Sequence, residues 1–400
     1  MTIHIGVPST IRTTIGAFSG DFVALRREFH QAPELAFKEF ATSAWIAELL
    51  ESWGYRVTRD IATTGIVATL KCGTERRSIG IRADFDALPI QEATGLSYAS
   101  KHPGRMHACG HDGHTAILLA AARYLAKTRR FDGTLRLFFQ PAEEIGAGAK
   151  AMIADGVLER FPVDAIYALH NWPSVPAGAF GFVEGPAMAS VDKAIVTVKG
   201  KGGHGAASHE TVDPIVAAAH VVTALQTIVS RNVDPLDMAV VTVGSIHGGT
   251  ASNVIPDKVE LQITTRTFRD EVRKRIESRI VEIASRQAEA FGASADVDYR
   301  RGYPTVVNHR SQTELAREVA ADLFGSLRLI SPFAPRTASE DFAYFLEKRP
   351  GAYLFVGNGS SAPLHSPEYD FNDDIIEVAA SFWAALVERS LAPSRATDPH

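Results

Sequence analysis

The feature that most limits what this chain can fold into is a helix–strand alternation that is broken once and then resumed. Asp21–His30 and Phe37–Trp53 carry apolar residues at helical spacing, in the second Phe37, Phe40, Ala44, Ala47 and Leu50, with Pro33 between the two. Gly65–Leu70 and Ser78–Ala83 are rich in Ile and Val and predict strands. His114–Ala126 predicts a helix, Thr134–Phe139 a strand closed by Pro141, Ala149–Phe161 a helix and Asp164–Leu169 a strand. That order belongs to a sheet with helices on its faces. The pattern changes near Pro186. Lys193–Lys199 alternates like a half-buried strand, and Asp213–Arg231 predicts a long helix with Asp213 as N-cap and Pro214 at its first position. Met238–Ile246 and Lys258–Phe268 follow as strands, Asp270–Phe291 as an amphipathic helix and Ala295–Arg300 as a strand. The series β-α-β-β-α-β is ferredoxin-like. Ser311–Phe324, Ala352–Val356 and Asp374–Leu391 then resume the first pattern as helix, strand and helix.

The expected fold class is therefore α/β, an open mixed sheet flanked by helices, with an inserted ferredoxin-like α+β domain. Residues 1–186 and 301–400 form the discontinuous domain and 187–300 the insertion. A chain of 400 residues suits two such domains. The polar tail Ala392–His400 is expected to be loose.

Composition narrows the function. With 46% hydrophobic and 22% charged residues, the chain is neither disordered nor a collagen-like or disulfide scaffold. Its net charge of −5 and lack of a Lys/Arg block argue against a nucleic-acid partner. Met1–Phe18 holds no continuous apolar run, and the longest candidate for a membrane span, Ala116–Ala122, is far too short. No membrane partner is expected. Cys72 and Cys109 are too few for a disulfide framework; a single bridge between them is possible, but a reduced, cytoplasmic chain fits better.

Four of the fourteen histidines fall between His102 and His114. Within that stretch Cys109 and His111 sit two apart in a Gly-containing loop before a helix, and thiolate and imidazole both bind borderline divalent metals. Glu143 and Glu144 follow a strand. One of the pair can hold a metal while the other acts as general base on a water the metal activates; the plain alternative is a solvated acidic turn. His170 and His365 lie at or beyond the ends of further strands. Asp84 and Asp86, also at a strand end, can orient a ligand histidine. Ligands in open α/β sheets gather at the carboxyl ends of the strands, so Cys109, His111, Glu144, His170 and His365 can converge. Five ligands exceed one tetrahedral catalytic site and suit two neighbouring ions.

In order and context, several motifs resemble the M20 metallopeptidases, in the branch of hippurate hydrolases and N-acyl-amino-acid amidohydrolases. They are Arg82-Ala-Asp-Phe-Asp-Ala-Leu-Pro, His107-Ala-Cys-Gly-His-Asp-Gly-His, Gln140-Pro-Ala-Glu-Glu, Leu169-His-Asn-Trp, Ser339-Glu-Asp-Phe and Leu364-His-Ser-Pro. The resemblance spans about Leu25 to Ala385. It implies a dinuclear-metal catalytic domain, with two divalent ions (Zn, Mn, Co or Ni) on Cys109, His111, Glu144, His170 and His365. It implies Glu143 as general base and acid, Asp86 as the aspartate beside the metals, and a lid that also dimerises. In that lid it implies His204 as a carbonyl-polarising residue reaching a neighbouring subunit, and Asn253 and Arg266 as holders of the substrate carboxylate. Ser208 and Ile263 depart from the family's usual Pro and Gly, both in the lid.

The implied activity is hydrolysis of an N-acyl amino acid, with an acetyl or aryl-acyl group, to a carboxylic acid and a free amino acid. The implied assembly is a homodimer or larger homo-oligomer. A dipeptidase or carboxypeptidase-like activity is the nearest alternative. Thiol catalysis at Cys109 and a non-catalytic metabolite binder of the same fold are more distant ones.

Overall fold

The computed structural model describes residues 7–393, so most of the tail expected to be loose lies outside the described residues. The chain divides into two compact units. One holds the chain up to Gly185, Val307–Ala334 and the chain from Tyr344 onward; the other holds Pro186–Val306 and Pro335–Ala343. The spacing assigns residues 335–343 to the larger unit. Backbone bonds explain their place in the smaller one: Arg336 N donates to Ala187 O, and Ala189 N to Arg336 O and Ala338 O.

The larger unit opens with helices α1 (Val7–Gly16), α2 (Ser19–Gln31) and α3 (Phe40–Ser52). Strands β1 (Arg56–Ile61), β2 (Gly65–Cys72) and β3 (Ser78–Asp84) follow, then α4 (His111–Thr128), β4 (Gly133–Gln140) and β5 (Ala165–Pro173). The apolar spacing predicts neither α1 nor β1. β1 is a polar edge strand with a single buried residue, Ile61, so it carries almost no hydrophobic signal. The helix expected from Phe37 begins at Phe40, because Phe37 turns the chain with φ 59°. The helix expected over Ala149–Phe161 is two short ones, Gly148–Ala154 and Val157–Arg160, parted at Gly156 with φ 71°. The strand expected to stop at Leu169 runs on to Pro173 and so includes His170.

The smaller unit contains β6 (Ser190–Lys199), α5 (Pro214–Leu225), β7 (Ala239–Gly248), β8 (Lys258–Thr267), α6 (Asp270–Glu289) and β9 (Ser294–Arg301). Its sheet runs β7-β8-β6-β9, all antiparallel. Both helices pack on it, burying Ala217, Val221, Leu225, Ile276 and Ile280 with Val196, Leu261 and Ile263. This is the ferredoxin-like arrangement. Asp213 caps α5, its Oδ1 accepting from Ile215 N at 2.8 Å, with Pro214 beside it. The stretch Pro214–Asn232 is long and apolar enough to cross a bilayer, which Ala116–Ala122 is not; its buried residues Ala217, Ala218, Val221 and Leu225 belong to this sheet-packed core.

Back in the larger unit come α7 (Arg310–Phe324), β10 (Gly351–Gly359) and α8 (Ile375–Ser390). The eight-stranded sheet runs β1-β2-β4-β3-β5-β10 and ends in the two-residue strands Phe180–Gly181 and Leu329–Ile330. β4, β3, β5 and β10 are mutually parallel, whereas β1 and β2 are antiparallel to their neighbours. Successive residues of β4 and of β5 are buried, so the centre of the sheet is covered on both faces. α4 lies against β3, β5 and α8, and Leu118, Leu137, Leu354 and Trp383 share one core.

Candidate metal centre

The parallel strands end on one side, and the chemistry-bearing loops leave from there. Beyond β4, Ala142 takes φ 53° and turns the chain so that Glu143 and Glu144 follow at once. Buried Glu39 holds this turn: its carboxylate accepts from Ala142 N at 3.0 Å and from Thr64 Oγ1 at 2.7 Å. Burial pushes Glu39 up to about 7. Cys109 precedes α4, and Gly110 turns the chain into that helix with φ 87°. A Cβ at Gly110 would stand 2.4 Å from Asn171 Nδ2 and 2.6 Å from the Tyr369 hydroxyl, so only glycine fits. The His365 loop docks on the same segment, His365 N donating to Ala108 O at 2.8 Å.

These loops bring five side chains together. Cys109 Sγ lies 3.3 Å from His170 Nε2. His111 Nε2 is 3.8 Å from Glu144 Oε1, and His365 Nε2 is 3.3 Å from Glu144 Oε2. The donor atoms of Cys109, His111 and His170 lie within 4.8 Å of one another, as do those of Cys109, Glu144 and His365. Cys109 belongs to both sets. Glu143 joins His111 and Glu144 in a third, and it is buried.

The hydrogen bonds fix which imidazole nitrogens remain available. His170 Nδ1 donates to Asn171 O at 2.6 Å, leaving Nε2 to face Cys109. His111 Nδ1 donates to Asp86 O at 3.0 Å and to Asp86 Oδ1 at 3.2 Å. His111 Nε2 and Glu144 Oε1 are then buried polar atoms without a hydrogen-bond partner. Two such atoms, pointing into a group of thiol, imidazole and carboxylate donors, fit cation ligands. Asp84, His111 and His114 form another close set, but Asp84 is already engaged by Arg82 at 2.7 Å and by His114 at 2.6 Å.

Electrostatics agree. Burial, then Glu144 and Glu143, push the Cys109 thiol well above its ordinary value. Burial and those two carboxylates disfavour the thiolate, the opposite of what an activated thiol nucleophile needs. Burial opposes charge on His111, but Asp84, Asp86 and Glu144 outweigh it and raise the imidazole to about 10. Burial, reinforced by His114, holds His170 well below its ordinary value and keeps it neutral.

Asp86, the aspartate that the resemblance implies beside the metals, touches two of these residues. It orients His111, and its Oδ2 accepts from Glu144 N at 3.1 Å. Asp86→Asn is expected to weaken metal affinity by about 10–100-fold, read by competition with a chelating dye. Other supports have no role assigned by the motifs. Asn171 Nδ2 donates to Cys109 O at 2.7 Å, its Oδ1 accepts from Tyr369 OH at 2.7 Å, and its backbone N donates to His114 Nε2 at 3.0 Å. In the sequence Asn171 stands inside Leu169-His-Asn-Trp, but nothing there points to these partners.

Behind the Cys109 loop, Arg26 Nε pairs with Asp112 Oδ2 at 2.9 Å, and His30 Nδ1 reaches the same oxygen at 2.8 Å. His30 Nε2 faces Glu92 at 3.4 Å. Burial disfavours the charged imidazole, but Asp112 and Glu92 raise it to about 9. A histidine whose pKa is raised on folding stabilises fully below about 6.5 and loses that contribution as the pH climbs through about 9. In metal-loaded protein the melting temperature should therefore fall between pH 6.5 and 9, less steeply in His30→Gln; equal slopes would remove His30 as the cause.

The remaining motif residues belong to the smaller unit. Gly203–His204 pairs antiparallel with Val254–Ile255, and Gly205 N donates to Asn253 O at 2.8 Å, so exposed His204 and Asn253 are neighbours. His204 Nδ1 accepts from Ala206 N at 3.0 Å, which leaves Nε2 as the ring donor. Arg266 lies on β8 between Val191 and Val240 and donates to Ser339 Oγ.

Residues 80–389 match the model of peptidase family M20/M25/M40. The hippurate hydrolase of Campylobacter jejuni is 43% identical over 372 residues, covering 93% of this chain and 97% of that protein. The N-acetyl-L-cysteine deacetylase of Bacillus subtilis is 44% identical over 370 residues, covering 92% and 88%. A solved Bacillus subtilis structure, described as a dinuclear metal binding peptidase from the M20 family, superposes with TM-score 0.83 at 37% identity, over 94% of this chain and 99% of that one.

Proposed function

The chain belongs to peptidase family M20/M25/M40, and from that membership we propose that it cleaves the amide bond of N-acyl amino acids. The observation that carries the reading is the shared thiol: Cys109 stands in both triplets of donors, beside a buried Glu143. Cys109, His111 and His170 would hold one divalent ion and Cys109, Glu144 and His365 a second, with Zn, Mn, Co and Ni all suited to thiolate, imidazole and carboxylate. When bound, such a pair supplies Lewis acidity and a water whose pKa lies near neutrality.

The chain's own residues supply the proton transfers. The Glu143 carboxylate takes a proton from the attacking water as oxygen adds to the carbonyl carbon. It returns that proton to the amide nitrogen as the C–N bond breaks, giving a carboxylic acid and a free amino acid. His204 Nε2, from a neighbouring copy, donates to the oxygen on which charge develops. Asn253 and the Arg266 fork hold the substrate's carboxylate. In this reading the larger unit is catalytic, the smaller is a lid and dimerisation domain, and the protein is a cytoplasmic homo-oligomer acting on a small molecule.

The test is a panel of hippurate, N-acetyl amino acids and dipeptides offered to metal-reconstituted protein, with product identification. Release of amino acid from the N-acyl compounds is expected. Cleavage of dipeptides alone would replace this reading with a dipeptidase.

A further inference from the structure

The outer strands of the large sheet carry a second concentration of polar chemistry. Arg56 of β1 pairs with Thr69 of β2, and Thr69 with Arg136 of β4. One row along, Lys71 of β2 pairs with Thr134 of β4. Opposed residues on neighbouring strands project from the same face, so these five side chains share one surface. Arg129, which closes α4, brings a fourth cation to the same groove beside Gly54. The groove has a volume of about 490 Å³, within the usual range for small-molecule sites.

Its lining holds four cations and two hydroxyls and no carboxylate. This is unexpected in a chain with 46 acidic and 41 basic residues. None of the four cations forms an ion pair among the described residues. Carboxylates on adjoining segments are engaged elsewhere: Glu51 pairs with Arg59, and Asp132 accepts from the amides of Thr74 and Glu75. Arg136 is also fixed in place. Its Nε donates to Pro162 O at 3.0 Å, and its guanidinium lies 5.5 Å from the centre of the Phe161 ring. Burial and the neighbouring Arg56 charge hold Arg136 below its ordinary pKa, as expected where like charges crowd without a counter-ion. Planar guanidinium forks beside hydroxyl donors match the geometry of phosphoryl oxygens. At about −1.5 to −2 per phosphoryl group, four cations balance two such groups.

We propose that this groove binds a small molecule carrying two phosphoryl groups, at a site built from none of the metal-centre residues. The test is isothermal titration of the metal-loaded, full-length protein with fructose 1,6-bisphosphate, and separately with inorganic phosphate. Wild type should bind one bisphosphate per chain, more tightly than phosphate. The double variant Arg56→Gln/Lys71→Gln changes two exposed side chains and should keep the wild-type melting temperature and hydrolytic rate, while its affinity falls at least 10-fold. His365→Ala, altered at the metal centre, should bind the bisphosphate like wild type. Absence of binding at millimolar ligand, equal affinity in the double variant, or loss of binding in His365→Ala would each overturn the proposal.

Discussion

Glu143→Ala is expected to retain two metal ions per chain while its turnover of an N-acyl amino acid falls by at least ~100-fold, the lower range for general acid–base catalysis. The expectation follows from two carboxylates with different surroundings. Glu144 stands 3.8 Å from His111 Nε2 and 3.3 Å from His365 Nε2, inside a donor triplet with Cys109. Burial pushes its pKa up, but the two histidines overcome this and keep it charged, as a ligand must be. Glu143 is buried beside the same atoms but outside both triplets that share Cys109. Removing it leaves those five donors intact and removes the group that moves the proton. Near-wild-type turnover in Glu143→Ala would end its assignment as the base. Loss of metal would make it a ligand instead.

Cys109→Ala should do the opposite and lose metal first. Because Cys109 is common to both triplets, its removal takes a donor from each. His111→Ala removes the nitrogen left without a partner in the buried site, so it should empty one position more than the other. Elemental analysis is the readout: well below one ion per chain is expected for Cys109→Ala and about one for His111→Ala. Full occupancy in both variants would remove these residues from the ligand set. Acid should act in the same direction, because neighbouring carboxylates raise His111 to about 10 and protons then compete with metal for its Nε2.

The larger part of this site was legible because it is written locally. The histidine cluster, the Glu-Glu pair and the strand-end histidines are short motifs, and the open α/β pattern implies that strand ends converge. Apart from Asp86, the supports were not, because they depend on contacts distant in sequence. Tyr369 meets Asn171 across 198 residues, and Arg26 meets Asp112 from α2 to α4. Asp84 and Asp86 illustrate the limit. They sit two apart in one motif, but Asp84 is held by Arg82 and His114 while Asp86 orients His111. Spacing does not separate those roles. The missed edge strand Arg56–Ile61 has a different cause, since a strand with one buried residue shows little apolar alternation. That same exposed strand contributes Arg56 to the basic groove.

The most direct test of the central account is a metal titration of chelator-treated protein, following hydrolysis of hippurate or an N-acetyl amino acid. The account predicts negligible activity in the stripped protein, recovery as a divalent ion is added, and saturation at two equivalents per chain. Undiminished hydrolysis after complete removal of metal, together with inactivation by iodoacetamide, would contradict it.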